Sequence, residues 1–154
     1  MNKIIITIDG HAGSGKSSTA HRVSKILKYK YINSGYLYRA ITFSILNNEI
    51  DFKDSSSLKK HLNSINLNYI HDHKEDNIIV ELNNQNITHH LKKHNVEVHV
   101  AQVSSDQNVR AKIYDLQKEL GVNKEIIMDG RDIGTKIFPN AELKIFMTAD
   151  IESR

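Results

Sequence analysis

The sequence predicts an α/β fold built around a central parallel sheet. Short runs of β-branched and other apolar residues alternate with longer segments whose apolar residues recur at helical spacing. The short runs are almost continuously apolar, as expected for strands that are covered on both faces of a sheet. A length of 154 residues suits one domain of ordinary size.

The composition excludes several classes of protein. The chain has no cysteine, which rules out a disulfide scaffold, an iron–sulfur protein and a cysteine-based zinc site. A net charge of +3 is compatible with anionic ligands, but the lysines are scattered and aromatic residues make up only 6% of the chain, so nucleic acid is not an expected partner. No apolar run is long enough to span a membrane, and the N-terminus lacks the pattern of a secretory signal. We therefore expect a cytoplasmic protein with no membrane partner. We also expect a monomer.

The first fifty residues alternate between strand-type and helix-type segments. The patterns predict a strand over residues 3–8, a helix over 16–28, a short strand at 31–32 and a second helix from 34 to 46. This order of elements is the reason for predicting a parallel sheet, because parallel strands need helical crossovers between them.

The middle of the chain is more polar and is predicted to form an insert. Residues 51–95 are rich in Asn, Lys and His, and two alternating segments at 67–70 and 78–82 flank a charged turn, which indicates an antiparallel hairpin. The sequence thus divides into a core made of residues 1–50 and 96–154 and a small α/β insert over 51–95.

The last third returns to the α/β pattern. Residues 96–103 fit a strand and a helix equally well, whereas residues 106–120 predict a helix with Gly121 at its C-terminal cap. Two further buried strands are predicted at 125–128 and 143–147.

A phosphate-binding loop is the strongest motif. Gly10 to Ser17 matches G-x-x-x-x-G-K-[ST] and lies between a predicted strand and a predicted helix, as such a P-loop requires. The glycines allow successive backbone N–H groups to point at phosphate oxygens, and the N-terminus of the following helix favours the same anion. Lys16 can reach the β- and γ-phosphates, and the hydroxyl of Ser17 can ligate Mg²⁺.

A second motif follows the predicted strand at 125–128. Asp129 ends that apolar run, where P-loop enzymes place a carboxylate near Mg²⁺, and Arg131 and Asp132 come directly after it. At the carboxyl end of a parallel strand these side chains would face the ligand crevice. A GTPase would also need an N-K-x-D motif, and the segment at 123–126 lacks the aspartate.

These motifs, together with the segments 33–40, 101–104, 108–110 and 138–149, resemble the bacterial cytidylate (CMP) kinase family in order and spacing. The resemblance implies a three-layer P-loop fold, in which residues 51–95 bind the nucleoside monophosphate and residues 96–103 are helical. It also implies the reaction ATP + CMP or dCMP to ADP + CDP or dCDP, with Mg²⁺ as cofactor.

The resemblance assigns a role to each motif residue. The ATP-phosphate loop would comprise Gly10, His11, Ala12, Gly13, Ser14, Gly15, Lys16, Ser17 and Ser18. Asp129 matches an acid near the reacting phosphates and the metal. The catalytic set would be Lys16, Arg39, Asp129 and Arg131, and Ser17 would be the metal ligand.

The acceptor nucleotide has its own predicted residues. Ser34, Arg39 and Arg131 match positions that hold the acceptor phosphate, and Arg110 and Asp132 match the pair that reads cytosine. A carboxylate can accept from the N4 amino group of cytosine, whereas uracil presents an acceptor there.

The chain also departs from the family pattern. Ala101 stands in place of a base-binding serine, and His11 stands where proline is usual. The chain stops at residue 154, where the family continues into an arginine-rich lid, so we expect a fragment or truncated chain. Two alternatives therefore remain open: a P-loop kinase that acts on another small substrate, and a nucleotide-binding module without catalysis.

Other polar clusters are interpreted as surface features. His89, His90 and His94 are close together, and His71 alternates with His73, but solvent-facing histidines are commoner than a metal site in a polar insert. The serine run at 55–57 is interpreted as a loop and a helix N-cap.

Overall fold

The computed structural model describes residues 2–72, 74–150 and 152. The chain forms two compact units. The first comprises residues 1–34, 71–77 and 117–154 and is called the P-loop unit here, and the second comprises residues 35–70 and 78–116. The boundaries between these units differ from those of the insert expected over residues 51–95. The boundaries of that insert therefore stay a prediction.

Seven strands and five α-helices follow one another along the described residues. The strands are β1 (Ile5–Gly10), β2 (Lys30–Asn33), β3 (Leu67–Asp72), β4 (Asn77–Leu82), β5 (Gln85–Asn86), β6 (Ile126–Gly130) and β7 (Leu143–Met147). The helices are α1 (Lys16–Leu27), α2 (Ser34–Asn47), α3 (Ser55–Ser64), α4 (His94–Ser104) and α5 (Gln107–Leu120). A 3₁₀ turn at Thr88–His90 and a π-helical turn at Ile133–Ile137 complete the set.

The P-loop unit is built on a four-stranded parallel sheet in the order β2-β6-β1-β7. All six residues of β1 are buried, and α1 packs against β1, β2 and β6. Burial on both faces explains why β1 and β6 are almost continuously apolar. The predicted α/β class with a central parallel sheet is therefore confirmed. The strand at 143–147 was also predicted to be buried, and this is wrong: β7 lies at the edge of the sheet, and four of its five residues are exposed.

The register of the sheet brings polar residues to one edge. Ile8 of β1 and Asn33 of β2 both lie opposite Asp129 of β6, and Asp9 lies opposite Gly130. Because the strands are parallel, their carboxyl ends coincide, and the loops that follow β1, β2 and β6 leave the sheet at the same edge.

The second unit contains α3, α4 and most of α2 and α5. It also contains most of a three-stranded sheet formed by β3, β4 and β5. The strands β3, β4 and β5 are neighbours in that order, so the predicted segments at 67–70 and 78–82 do pair. β4 and β5 run antiparallel, with Glu81 opposite Asn86. The two-residue strand β5 was not predicted from the sequence.

The ambiguous segment at 96–103 is helical. Val96 and Val103 are buried, whereas Val98 is largely exposed, so burial follows the helical stripe of valines rather than strand alternation. The confirmed helix α4 agrees with the implication of the family resemblance.

The serine run at 55–57 differs from its prediction. Asp54 is the N-cap of α3, and its side chain accepts hydrogen bonds from the backbone N–H groups of Ser56 and Ser57. Ser55 is therefore the first helical residue and not the cap. A carboxylate at this position also interacts favourably with the positive end of the helix dipole.

None of the described helices is long and apolar enough to cross a membrane.

Candidate functional site

The P-loop leaves the sheet at Gly10 and enters α1 at Lys16. Gly13 and Gly15 have φ angles of 77° and 85°, in the left-handed region that side-chain-bearing residues rarely adopt. Gly15 is also the residue that precedes the first turn of α1. These conformations make the loop curl tightly, as a phosphate cradle requires.

Two polar side chains of the loop, Lys16 and Ser14, can donate hydrogen bonds to an anion. Lys16 Nζ donates to the carbonyl oxygen of His11 at 3.3 Å, a bond within its own loop that an incoming phosphate can replace. Ser14 Oγ is buried and has no hydrogen-bond partner among the described residues. A buried hydroxyl is costly without a partner, and an anionic oxygen in the loop would satisfy it. The loop therefore fits the phosphates of a nucleotide.

Asp129 is the centre of the hydrogen-bond network beside the loop. Its carboxylate is buried and accepts a hydrogen bond from the hydroxyl of Tyr31 at 3.0 Å. The side chain of Ser17 and the backbone N–H of Ser34 also donate to it. Burial raises the pKa of Asp129, while these donors and the charge of Lys16 act in the opposite direction.

Ser17 and Asp129 together offer oxygen ligands for a cation. The hydrogen bond from the Ser17 side chain acts to lower the pKa of the Asp129 carboxyl, so the two groups are neighbours beside the loop. Mg²⁺ prefers oxygen ligands and usually takes only one or two carboxylates from the protein. The donor set is thus suited to Mg²⁺ bound together with nucleotide phosphates.

Asp9 holds the second motif in place. Its two carboxylate oxygens accept the backbone N–H groups of Ile133 and Gly134, each at 2.8 Å. This fixes the turn that follows β6 and carries Arg131, which is exposed, and Asp132, which is half-buried. Asp9 was not among the site residues predicted from the sequence. An acid that terminates a buried apolar run was the signal for its role.

Ser34 has a buried partner that the sequence analysis missed. Ser34 begins α2 and is 4% exposed, and its Oγ accepts a hydrogen bond from Gln117 Nε2 at 2.9 Å. Nothing in the local pattern around Gln117 singled it out, because a glutamine near the end of a helix is usually solvent-exposed.

In the second unit, Arg39 is already paired. Its Nη1 donates to the carbonyl oxygen of Leu91 at 3.1 Å and to Glu97 Oε1 at 3.0 Å. The Arg39 side chain is 26% exposed and that of Glu97 is 53% exposed, so the ion pair is close to solvent. An anionic ligand of Arg39 would compete with Glu97 for the guanidinium group.

Arg110 is held by its neighbour on α5. Its Nη2 and Nε donate to the hydroxyl of Tyr114 at 2.6 and 3.1 Å, and its guanidinium carbon lies 5.6 Å from the centroid of that ring. Ala101 is exposed on α4. These contacts restrict the rotamers of Arg110.

The structure brings together the predicted residues of the P-loop unit. The loop, Ser34 and Asp129 share one hydrogen-bond network, and Asp9 links the strand before the loop to the turn that bears Arg131 and Asp132. Arg39 and Arg110 belong to the second unit. Their action together with residues of the P-loop unit stays a prediction.

Among the residues that the structure describes, a single group of three side chains has the spacing of a metal site: His21, His71 and Asp76. However, the backbone N–H of Tyr31 donates to His71 Nδ1 at 3.0 Å, so neutral His71 carries its proton on Nε2, which faces Asp76. Lys25 Nζ also lies 2.8 Å from the Asp76 carboxylate. The group is a hydrogen-bonded ion-pair cluster rather than a metal site. His71 is buried, so its interpretation as a solvent-facing histidine is wrong.

Of the clustered histidines in the second unit, His89 and His90 make ring contacts, and His94 is exposed. His90 stacks on Phe43 with ring centroids 4.5 Å apart, and the rings of His89 and His90 are 4.0 Å apart. His94 begins α4. His73 lies outside the described residues.

The parallel sheet, the curled glycine loop and the buried acid at the end of the adjacent strand define a P-loop nucleotide-binding protein. Comparison with known proteins identifies the family. A family model described as cytidylate kinase matches residues 6–154.

Curated relatives agree with this match. The cytidylate kinase of Flavobacterium psychrophilum is 42% identical over 157 residues, an alignment that covers 100% of this chain and 70% of the relative. The cytidylate kinases of Fusobacterium nucleatum and Cytophaga hutchinsonii are 40% and 37% identical over 154 residues, which cover 100% of this chain and 68% and 66% of the relatives. The chain belongs to the cytidylate kinase family, and it spans about two-thirds of the length of these relatives.

Proposed function

We propose that this chain binds ATP and CMP or dCMP and transfers the γ-phosphate of ATP to the monophosphate, giving ADP and CDP or dCDP. The observation that carries the proposal is the network around Asp129. A residue of the P-loop, Ser17, and a predicted acceptor residue, Ser34, donate to the same carboxylate. This shared carboxylate supports the proposal that the donor loop and the acceptor residue lie next to each other. The relatives are named for the same activity.

The donor side uses the P-loop. The backbone N–H groups of residues 10–18, the Lys16 ammonium and the buried Ser14 hydroxyl hold the phosphates of ATP. Ser17 and Asp129 would hold Mg²⁺, which would supply positive charge to the phosphates of ATP.

The acceptor side uses Ser34, Arg39 and Arg131. Ser34 supplies a hydroxyl at the N-terminus of a helix, a favourable place for an anion, and the two arginines supply positive charge. The acceptor phosphate is itself a competent nucleophile, so the reaction depends on positioning and charge neutralisation rather than on a strong general base.

The base is read by Arg110 and Asp132. The carboxylate accepts from the N4 amino group of cytosine, and the guanidinium donates to the ring acceptors. The contacts of Arg110 with Tyr114 support this role because they limit its rotamers before the ligand arrives. Ala101 offers no hydroxyl to the base, so the arginine and the aspartate carry the discrimination.

Calorimetry and a coupled ADP-release assay test the proposal on the same preparation. We expect saturable binding of ATP–Mg²⁺ and of CMP, weaker binding of UMP, and ADP release that needs both substrates. A second candidate function is nucleotide binding without turnover, because the chain spans 66–70% of the length of the relatives. Binding of both nucleotides without ADP release would favour that candidate, and failure to bind CMP would contradict the assignment of the acceptor.

A cytoplasmic location and a monomeric state are also proposed, from the composition and the family. Cell fractionation and light scattering test them.

A further inference from the structure

The side-chain amide of Gln117 is buried and hydrogen-bonded to Ser34. Gln117 is 1% exposed, and its Nε2 donates to Ser34 Oγ at 2.9 Å across 83 residues of chain. The Oε1 of the same amide is buried and has no hydrogen-bond partner among the described residues. An apolar side chain of the same size would fill this space without the cost of an unsatisfied acceptor. Packing alone therefore does not account for a glutamine here.

The direction of this hydrogen bond decides what Ser34 can do. A serine hydroxyl has one proton and two lone pairs. Because Gln117 Nε2 is the donor, it occupies a lone pair of Ser34 Oγ and leaves the hydroxyl proton to be donated elsewhere. The backbone N–H of Ser34 is engaged by Asp129, so the residue is anchored through its backbone as well.

We propose that Gln117 is a positioning residue for the acceptor phosphate and that it acts through Ser34. The amide keeps Ser34 Oγ oriented as a hydrogen-bond donor at the N-terminus of α2, where an anionic phosphate is favoured. Without the amide, the hydroxyl rotates among several orientations, and binding must then select one of them. The inference rests on the proposed function, since it takes Ser34 to bind the acceptor phosphate.

The test compares three ligands on Gln117→Met, which is similar in length and volume but has no amide. We expect the affinity for CMP to fall about five- to tenfold, the scale of one lost hydrogen bond. The affinities for ATP–Mg²⁺ and for cytidine stay within about twofold, because neither ligand places a phosphate at Ser34. Gln107→Met, an exposed glutamine at the start of the same helix, is the matched control and leaves all three affinities unchanged.

A double-mutant cycle with Ser34→Ala shows whether Gln117 acts through the serine. In the Ser34→Ala background we expect Gln117→Met to cause no further loss of CMP affinity, because the hydroxyl it orients is gone. Gln117→Asn is the second variant. It is used if Gln117→Met does not fold. Asparagine keeps a buried amide, but its side chain is one methylene shorter and does not reach Ser34, so we expect the same loss of CMP affinity.

The outcomes separate the inference from the proposed function. A loss of CMP affinity that simply adds to that of Ser34→Ala overturns the inference and leaves the proposed function standing. An equal loss of CMP, cytidine and ATP–Mg²⁺ affinity also overturns it, because that is the signature of a structural role. If the unaltered chain binds ATP–Mg²⁺ but not CMP, the proposed function fails and the inference fails with it.

Discussion

The hydroxyl of Tyr31 donates to the buried carboxylate of Asp129 at 3.0 Å, from one strand of the parallel sheet to its neighbour. The ring of Tyr31 stacks on His21 of α1, with centroids 5.3 Å apart. One tyrosine therefore connects the helix after the P-loop to the acid proposed to bind the metal.

Removal of this hydroxyl should destabilise the fold. In Tyr31→Phe the buried Asp129 carboxylate loses one donor, and we expect the free energy of unfolding to fall by about 1–3 kcal/mol. Urea denaturation measures it, with Tyr36→Phe as the matched control. An unchanged midpoint would show that the remaining donors or solvent satisfy the carboxylate fully.

Lys16→Ala should abolish transfer and leave the fold intact. Lys16 makes its hydrogen bond to the carbonyl of His11 within its own loop, so it contributes little to packing. We expect kcat to fall by at least about 10²–10³-fold, the scale of one lost charge-stabilising donor, with an unchanged Tm. Arg22→Ala, an exposed cation on α1, is the control. Retention of most of the rate would contradict the assignment of the P-loop.

Asp132→Asn should relax the choice of base. An amide can donate to the O4 of uracil as well as accept, so we expect the preference for CMP over UMP to fall by about 1–3 kcal/mol in kcat/KM, or in Kd where turnover is too slow. The exposed Asp115 provides the control variant Asp115→Asn. If the CMP/UMP ratio does not change, Asp132 does not read the base.

Glu97→Gln should improve binding of the acceptor. Glu97 Oε1 lies 3.0 Å from Arg39 Nη1 in a solvent-accessible ion pair. Such pairs contribute about 0–1 kcal/mol, so loss of the competing charge should tighten CMP binding by up to about fivefold. Calorimetry with Glu119→Gln as the control measures it. Weaker binding would mean that Glu97 orients Arg39 instead of competing with the phosphate.

The cluster around Asp76 should make stability depend on pH. The ammonium of Lys25 and the ring of His21 hold the pKa of Asp76 well below the usual aspartate value of 3.8. A group whose pKa is depressed by folding stabilises the protein above its unfolded pKa and loses that contribution as pH falls through the folded pKa. Asp76→Asn should therefore lower Tm at pH 6, and the difference from the unaltered chain should shrink as the pH is lowered below about 4. A difference that is constant over this range would contradict the assigned ion pairs.

Local pattern was sufficient for most of the fold and for the conformation of the glycine-rich loop. The glycine spacing of the P-loop, the apolar run before Asp129 and the helical stripe of α5 are all contained within short windows of sequence. Short windows are also where backbone propensity and burial periodicity act. The α/β class, the four strands of the parallel sheet and the glycine-rich loop followed from them.

Prediction from short segments of sequence failed in two situations. In one, the same pattern fits a strand and a helix, and in the other, a neighbouring residue takes the predicted role. The valines between residues 96 and 103 fit both periods, and only packing of Val96 and Val103 into a core made the helix the lower-energy state. At the start of α3 the N-cap was predicted within the serine run at 55–57, but Asp54 is the N-cap. A charged acceptor is favoured there because it also interacts with the helix dipole.

The sequence by itself determined the class of protein and the position of the glycine-rich loop, because both are encoded by residues adjacent in the chain. The tertiary structure alone decided which polar groups hold the residues around that loop. Asp9 holds the N–H of Ile133 across 124 residues, Tyr31 reaches Asp129 across 98 and Gln117 reaches Ser34 across 83. These partners carry no local periodicity, and each becomes identifiable only when folding buries a polar group that must then find its hydrogen bond.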